Sequence, residues 1–139
     1  MTPESLINTA IDPALALLPT MGSRAARILL LAIAWQESGM KHRRQVGGPA
    51  RGYWQFEQGG GVRGVLNHAS SKPHIQRVLA ALDYSPASSP ADCYVAIEHN
   101  DILSASFARL LLWTDPAPLP GDAAAAWDLY LRTWRPGKP

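Results

Sequence analysis

A chain of 139 residues suits one domain, and a fold of this size buries about 68–70% of the surface its unfolded form exposes, enough for a core of its own. With 47% hydrophobic and 17% charged residues the chain is neither disordered nor fibrous, and a net charge of +2 is too small to argue for a nucleic-acid partner. A lone cysteine, Cys93, excludes an internal disulfide and is expected as a small buried hydrophobe, while His42, His68, His74 and His99 lack the spacing of a zinc site, so no metal and no cofactor is expected.

The opening MTPESLINTAIDPALALLP has neither the basic start nor the unbroken apolar stretch of a signal peptide, and no run approaches the roughly 18 apolar residues of a membrane span. The expectation is a single domain over 1–139, made in the cytoplasm, with no membrane span. Within this opening, Thr2-Pro3 and Asp12-Pro13 each read as an N-cap followed by proline at the first helical position. They predict one or two short helices that stop near Pro19.

Ser23 is expected to cap the main helix, Arg24 to Ser38, with Gly39 as its left-handed stop. Because Ile28 to Trp35 read ILLLAIAW, apolar on every face, this helix is expected to be buried all round and central to the domain. Lys41 to Gly52 form a basic, glycine-rich loop. Gly52 to Gln58 form an aromatic strand or tight turn, which Gly59, Gly60 and Gly61 end before a turn or two of helix over Val62 to His68.

Pro73 opens a helix with Ile75, Val78, Leu79 and Leu82 on one face. Ser89, Pro90 and Asp92 open another that runs to Trp113, with a break near Asn100 and Asp101. After the rigid DPAPLPG, Asp122 caps a last helix whose Trp127, Tyr130, Leu131 and Trp134 form a core stripe, and Pro136 stops it. The fold class is therefore mainly α, a bundle around a buried helix with at most a small hairpin or irregular lobe near residues 45 to 60.

Glu37 is oddly placed in such a plan. A carboxylate in the last turn of a helix faces the negative end of the backbone dipole, which disfavours it by roughly 0.3–1 kcal/mol at exposed sites. Desolvation and the dipole both push such a carboxyl toward neutrality, and a general acid working near neutral pH needs that retained proton. Trp35 and Trp54 are available as its apolar wall. The plain structural reading is a solvated residue at a helix end, paired with Arg43, Arg44 or Arg51.

IAWQESGM followed by ARGYWQ resembles the two signature blocks of soluble lytic transglycosylases, which share the lysozyme-like fold. Gln36, Glu37, Ser38, Ala50, Gly52 and Gln55 match the family pattern, with Gln55 eighteen residues after Glu37. About 25 residues carry this likeness closely, and the rest only as an all-helical plan. The resemblance implies Glu37 as sole catalytic acid/base, Ser38 as a hydroxyl near it and Gln55 as a floor residue of a sugar cleft. It also implies peptidoglycan glycan strands as substrate.

The family's late Tyr-Asn pair is incomplete here: Tyr130 is a candidate for the tyrosine, the asparagine is missing, and Tyr130 also fits a core stripe. Glu57 is a candidate second carboxylate that would make the protein a hydrolase, either lysozyme or chitinase. If Gly52 to Gln58 is extended, Tyr53, Gln55 and Glu57 share one face, taken as the cleft side, and Trp54 with Phe56 the other. The cluster Lys41, His42, Arg43, Arg44 and Arg51 reads as a solvated loop or as an attraction for an acidic polymer. A lysozyme-like protein without activity, serving as a structural or glycan-binding part, is a further alternative. Action on the cell wall would need an assembly such as a bacteriophage virion or a secretion machine to carry the chain there.

Overall fold

The computed structural model describes residues 1–136. It is mainly helical. Helix α1 (Pro3–Leu6) passes through a π-turn (Ile7–Ile11) into α2 (Asp12–Ala16) without a break, followed by α3 (Arg24–Ser38), α4 (Arg63–Asn67), α5 (Lys72–Ala81), α6 (Pro90–His99), α7 (Asp101–Trp113) and α8 (Ala123–Trp134). No helix among the described residues is long and apolar enough to cross a membrane.

The helix starts follow their caps. The hydroxyls of Thr2, Ser23 and Ser89 and the carboxylate of Asp122 each accept a backbone N–H three residues on, at 3.1, 3.0, 3.1 and 2.8 Å. Asp12 departs from its expected role. The helix runs through it, and its carboxylate instead takes a bidentate pair of hydrogen bonds from Arg27 at 2.9 and 3.1 Å. Pro13 can donate no backbone bond, and the π-turn just before it absorbs that loss without ending the helix.

Helix α3 is not buried all round. Its inner face, Ala26, Leu29, Leu30, Ile33 and Ala34, enters the core, whereas Ile28 is 55% and Trp35 62% exposed. The central helix is α7, in which every residue from Leu103 to Leu110 is buried, and which packs against the opening helices, α3, α5, α6 and α8. Its small polar residues allow that close packing: the Ser106 hydroxyl returns a hydrogen bond of 2.8 Å to the Ile102 carbonyl. On α8, Leu129 and Tyr130 are buried, while Trp127 and Leu131 lie half in solvent.

Residues 41 to 57 form the irregular lobe. Two isolated antiparallel bridges, Arg44 with Arg51 and Arg51 with Phe56, frame a tight turn at 52–55. Gly52 sits at φ +74°, and a Cβ there would lie 2.5 Å from the Ser104 hydroxyl and 2.8 Å from Ile97, so the turn presses directly on α6 and α7. The Trp54 indole donates to the Leu30 carbonyl at 2.8 Å and the Trp134 indole donates to the Trp54 carbonyl at 2.9 Å, tying the lobe to α3 and α8.

Candidate active site

Glu37 stands in the last turn of α3, where Gly39 at φ +63° ends the helix by donating its N–H to the Trp35 carbonyl at 2.9 Å. Its carboxylate accepts a short hydrogen bond from the Tyr130 hydroxyl on α8. Burial raises the Glu37 pKa above the ordinary carboxyl value, and the Tyr130 bond offsets part of that rise by favouring the charged form. Burial and the same carboxylate push the Tyr130 phenol upward in turn, so it remains the donor.

No cation pairs with Glu37 among the described residues. The three arginines of the loop that were expected as its partners are engaged elsewhere. Arg43 makes a bidentate pair with Asp101 at 2.9 and 2.8 Å, and Arg44 and Arg51 both reach Glu98, at 3.0 and 3.1 Å. These ion pairs dock the lobe onto α6 and α7. They neutralise the basic cluster only in part, since Asp101 and Glu98 are two carboxylates for three arginines and Lys41 makes no ion pair among the described residues.

The other sequence candidates divide by position. The Ser38 hydroxyl donates to the Tyr53 carbonyl at 2.7 Å and accepts the Met40 N–H at 3.1 Å, so it clamps the helix end to the turn. Alternation of faces does not apply to residues 52–58, because they turn. Tyr53 is buried with the Arg43 guanidinium 4.7 Å above its ring, Trp54 and Phe56 are buried as well, and Gln55 takes a left-handed φ of +56°. Gln55 donates its side-chain amide to the Gly52 carbonyl at 2.8 Å, holding the turn closed.

Glu37, Ser38, Gln55 and Glu57 border one cavity of about 470 Å³, closed on the far side by Trp134 and Arg135. Glu57 is exposed at its rim. A second hollow of about 490 Å³ shares Gln55, Glu57 and Trp134 and continues past Gly59, Gly60 and Gly61. Together they make a polar trough leading up to the carboxyl of Glu37. Size and polarity suit a hydroxyl-rich chain.

The apolar wall differs from the expected one. Trp35 is exposed and Trp54 is fully buried with its indole bonded to α3. Tyr130 and Trp134 stand there instead, their rings 6.1 Å apart and nearly parallel, with Trp127 5.2 Å beyond Tyr130. Trp134 had been legible only as a core residue. Its i, i+4 spacing from Tyr130, the residue that meets Glu37, is the signal that places it beside the cavity.

No group of His, Cys, Asp and Glu among the described residues has the arrangement to hold a metal ion. Chemically, the site offers one half-buried carboxyl held by a phenol, an amide-lined trough and a second carboxylate at the rim. Comparison of the chain with family models, with curated proteins and with solved structures found no match.

Proposed function

We propose that the chain is a peptidoglycan-cleaving glycosidase acting on the β-1,4 bond between muramyl and glucosaminyl sugars, working as a lytic transglycosylase with Glu37 as its single acid/base. The observation that carries this reading is a carboxyl of raised pKa, held by the Tyr130 hydroxyl, opening onto a polar trough. In the first step the Glu37 proton passes to the glycosidic oxygen as its bond to the muramyl C1 breaks. In the second, the muramyl 6-hydroxyl oxygen bonds to C1 and returns its proton to the Glu37 carboxylate. No water is consumed, and the acid regains its starting state.

Tyr130 serves this cycle by fixing the carboxyl in the trough and moderating the rise of its pKa, so that the group can hold a proton before cleavage and release it after. Gln55 and Glu57 offer hydrogen bonds to sugar hydroxyls along the trough. Delivery to the wall by a phage particle or a secretion machine belongs to the same proposal.

A second reading, a hydrolase of lysozyme or chitinase type, draws on one observation: Glu57 borders the cavity that Glu37 opens onto. There Glu57 would activate a water, or act as the nucleophile at closer range. Digestion of purified peptidoglycan with mass analysis separates the readings. Transglycosylation gives 1,6-anhydro ends, and hydrolysis gives reducing ends. Cleavage of chitin oligomers with none of cell walls would point to the chitinase, and sugar binding with no bond broken to an inactive glycan-binding protein. Glu37→Gln is expected to abolish clearing while leaving the fold intact, and undiminished clearing by that variant would sink the proposal.

A further inference from the structure

The trough occupies one side of the Glu37–Tyr130 pair. The other side of Tyr130 borders a groove of about 610 Å³ between α3 and the start of α8. Its body is apolar, with Ile28 and Ala32 of α3 facing Trp127 of α8, and Ile28 and Trp127 are 55% and 50% exposed, with none of the described residues covering them. Among the described residues that line it, polar groups stand at the ends. Gln36 lies next to the candidate acid, and Arg24 and Asp122 stand at the opposite end.

Both distal charges are free to bind. Arg24 makes no ion pair among the described residues, and Asp122 uses Oδ1 to cap α8 at 2.8 Å while its Oδ2 has no donor among them. The twelve helical steps from Arg24 to Gln36 rise by about 18 Å. An extended peptide of four to five residues spans about 13–18 Å. A muramyl sugar at Glu37 carries a covalently attached stem of that length, with small apolar side chains along it and a diamino acid near its end.

We propose that this groove receives the peptide stem of the sugar being cleaved, an inference that rests on reading Glu37 as a peptidoglycan-cleaving acid. The alanine methyls lie along Ile28, Ala32 and Trp127. The diamino acid's ammonium meets Asp122 and a stem carboxylate meets Arg24. The half-exposed rims leave the groove open to water, so the stem's peptide groups and remaining carboxylate stay hydrated. The chain would then select substituted strands over bare glycan, and chitin would be a poor ligand.

The test uses the non-cleaving Glu37→Gln protein in calorimetric titration against a muramyl disaccharide bearing a diamino-acid tetrapeptide, the same disaccharide without a stem, and the free tetrapeptide. The stem is expected to tighten binding by about tenfold or more, and Ile28→Glu, a change at an exposed site, to remove most of that gain. Equal affinity for the two disaccharides would overturn the inference, as would a concentration-dependent dimer abolished by Ile28→Glu, which would put a second copy of the chain in the groove. If the wild-type protein cleaves bare and substituted strands alike, the groove inference fails and the glycosidase reading stands. If no glycan is cleaved while the free tetrapeptide binds and Ile28→Glu prevents it, the glycosidase reading fails and the groove stands as a peptide site.

Discussion

The Tyr130 hydroxyl donates a hydrogen bond to the Glu37 carboxylate, joining the last turn of α3 to the middle of α8 across 93 residues of sequence. The bond favours the charged carboxylate and so works against the rise that burial imposes. Tyr130→Phe keeps the ring between Trp127 and Trp134 and removes only this bond. The Glu37 pKa is expected to climb further, and the alkaline limb of the pH–activity profile, where the acid loses its proton, to move to higher pH. Activity should fall by about 10–100-fold. A profile unmoved along the pH axis would show that the phenol does not tune the acid.

Glu37 also sets a pH dependence of stability. Its folded-state pKa is raised, chiefly by burial, so the folded protein holds that proton more tightly than the unfolded chain does. The contribution is fully present below the ordinary carboxyl value of 4.5 and is lost as pH rises through the folded value. That stabilisation therefore shrinks between pH 4 and pH 7, and because Gln cannot ionise, Glu37→Gln is expected to gain in Tm relative to the wild-type protein as pH rises over that range, by an amount that solvent screening of the half-exposed group keeps small. Calorimetry at pH 4 and pH 7 should show the difference, variant minus wild type, more positive at the higher pH, and a difference that falls as pH rises would contradict the sign.

How far the sequence carries can be judged at particular residues. The helix starts at Ser23, Ser89 and Asp122 and the stop at Gly39 are local events, each decided within four residues, and the structure places them where the caps stand. The choice of central helix is not local. ILLLAIAW is more apolar than DILSASFARLLLW, yet α7 is enclosed and α3 is half open, because Ser104 and Ser106 admit neighbouring backbone that larger residues would hold away. Asp12 misled for a related reason: a π-turn let the helix cross a proline that the dipeptide alone reads as a start. Glu37 stood out as an acid in the wrong place, and the family resemblance offered Tyr130 as the tyrosine facing it, but only the fold decides between Tyr130 as a core residue and Tyr130 as a donor, since nothing local distinguishes the two.

Glu98 joins the lobe to α6, with Arg44 at 3.0 Å and Arg51 at 3.1 Å. The hydrogen bond from Arg44 lowers its pKa most, so its contribution to stability is present above the ordinary carboxyl value of 4.5 and lost as pH falls through the folded value. The carboxylate lies near the surface and solvent screens it, so Glu98→Gln is expected to cost only about 1 kcal/mol at pH 7. Urea unfolding at pH 7 and pH 3 should show the difference at the first and almost none at the second. A difference independent of pH would assign the effect to packing.

Gly52 fixes the turn that brings Gln55 and Glu57 to the trough. Its φ of +74° strains any other residue, and an added Cβ would meet the Ser104 hydroxyl at 2.5 Å and Ile97 at 2.8 Å. Gly52→Ala is therefore expected to destabilise by about 2–4 kcal/mol, from backbone strain and overpacking together. The Ser104 hydroxyl is buried with no hydrogen-bond partner among the described residues, so Ser104→Ala alone should cost little. Made together, the two changes should be less damaging than their sum, because removing the hydroxyl clears the nearest clash while the positive φ and the Ile97 contact remain. A double-mutant cycle in urea measures the coupling, and strict additivity would show that the turn moves off α7 as a unit and that the strain lies in the backbone alone.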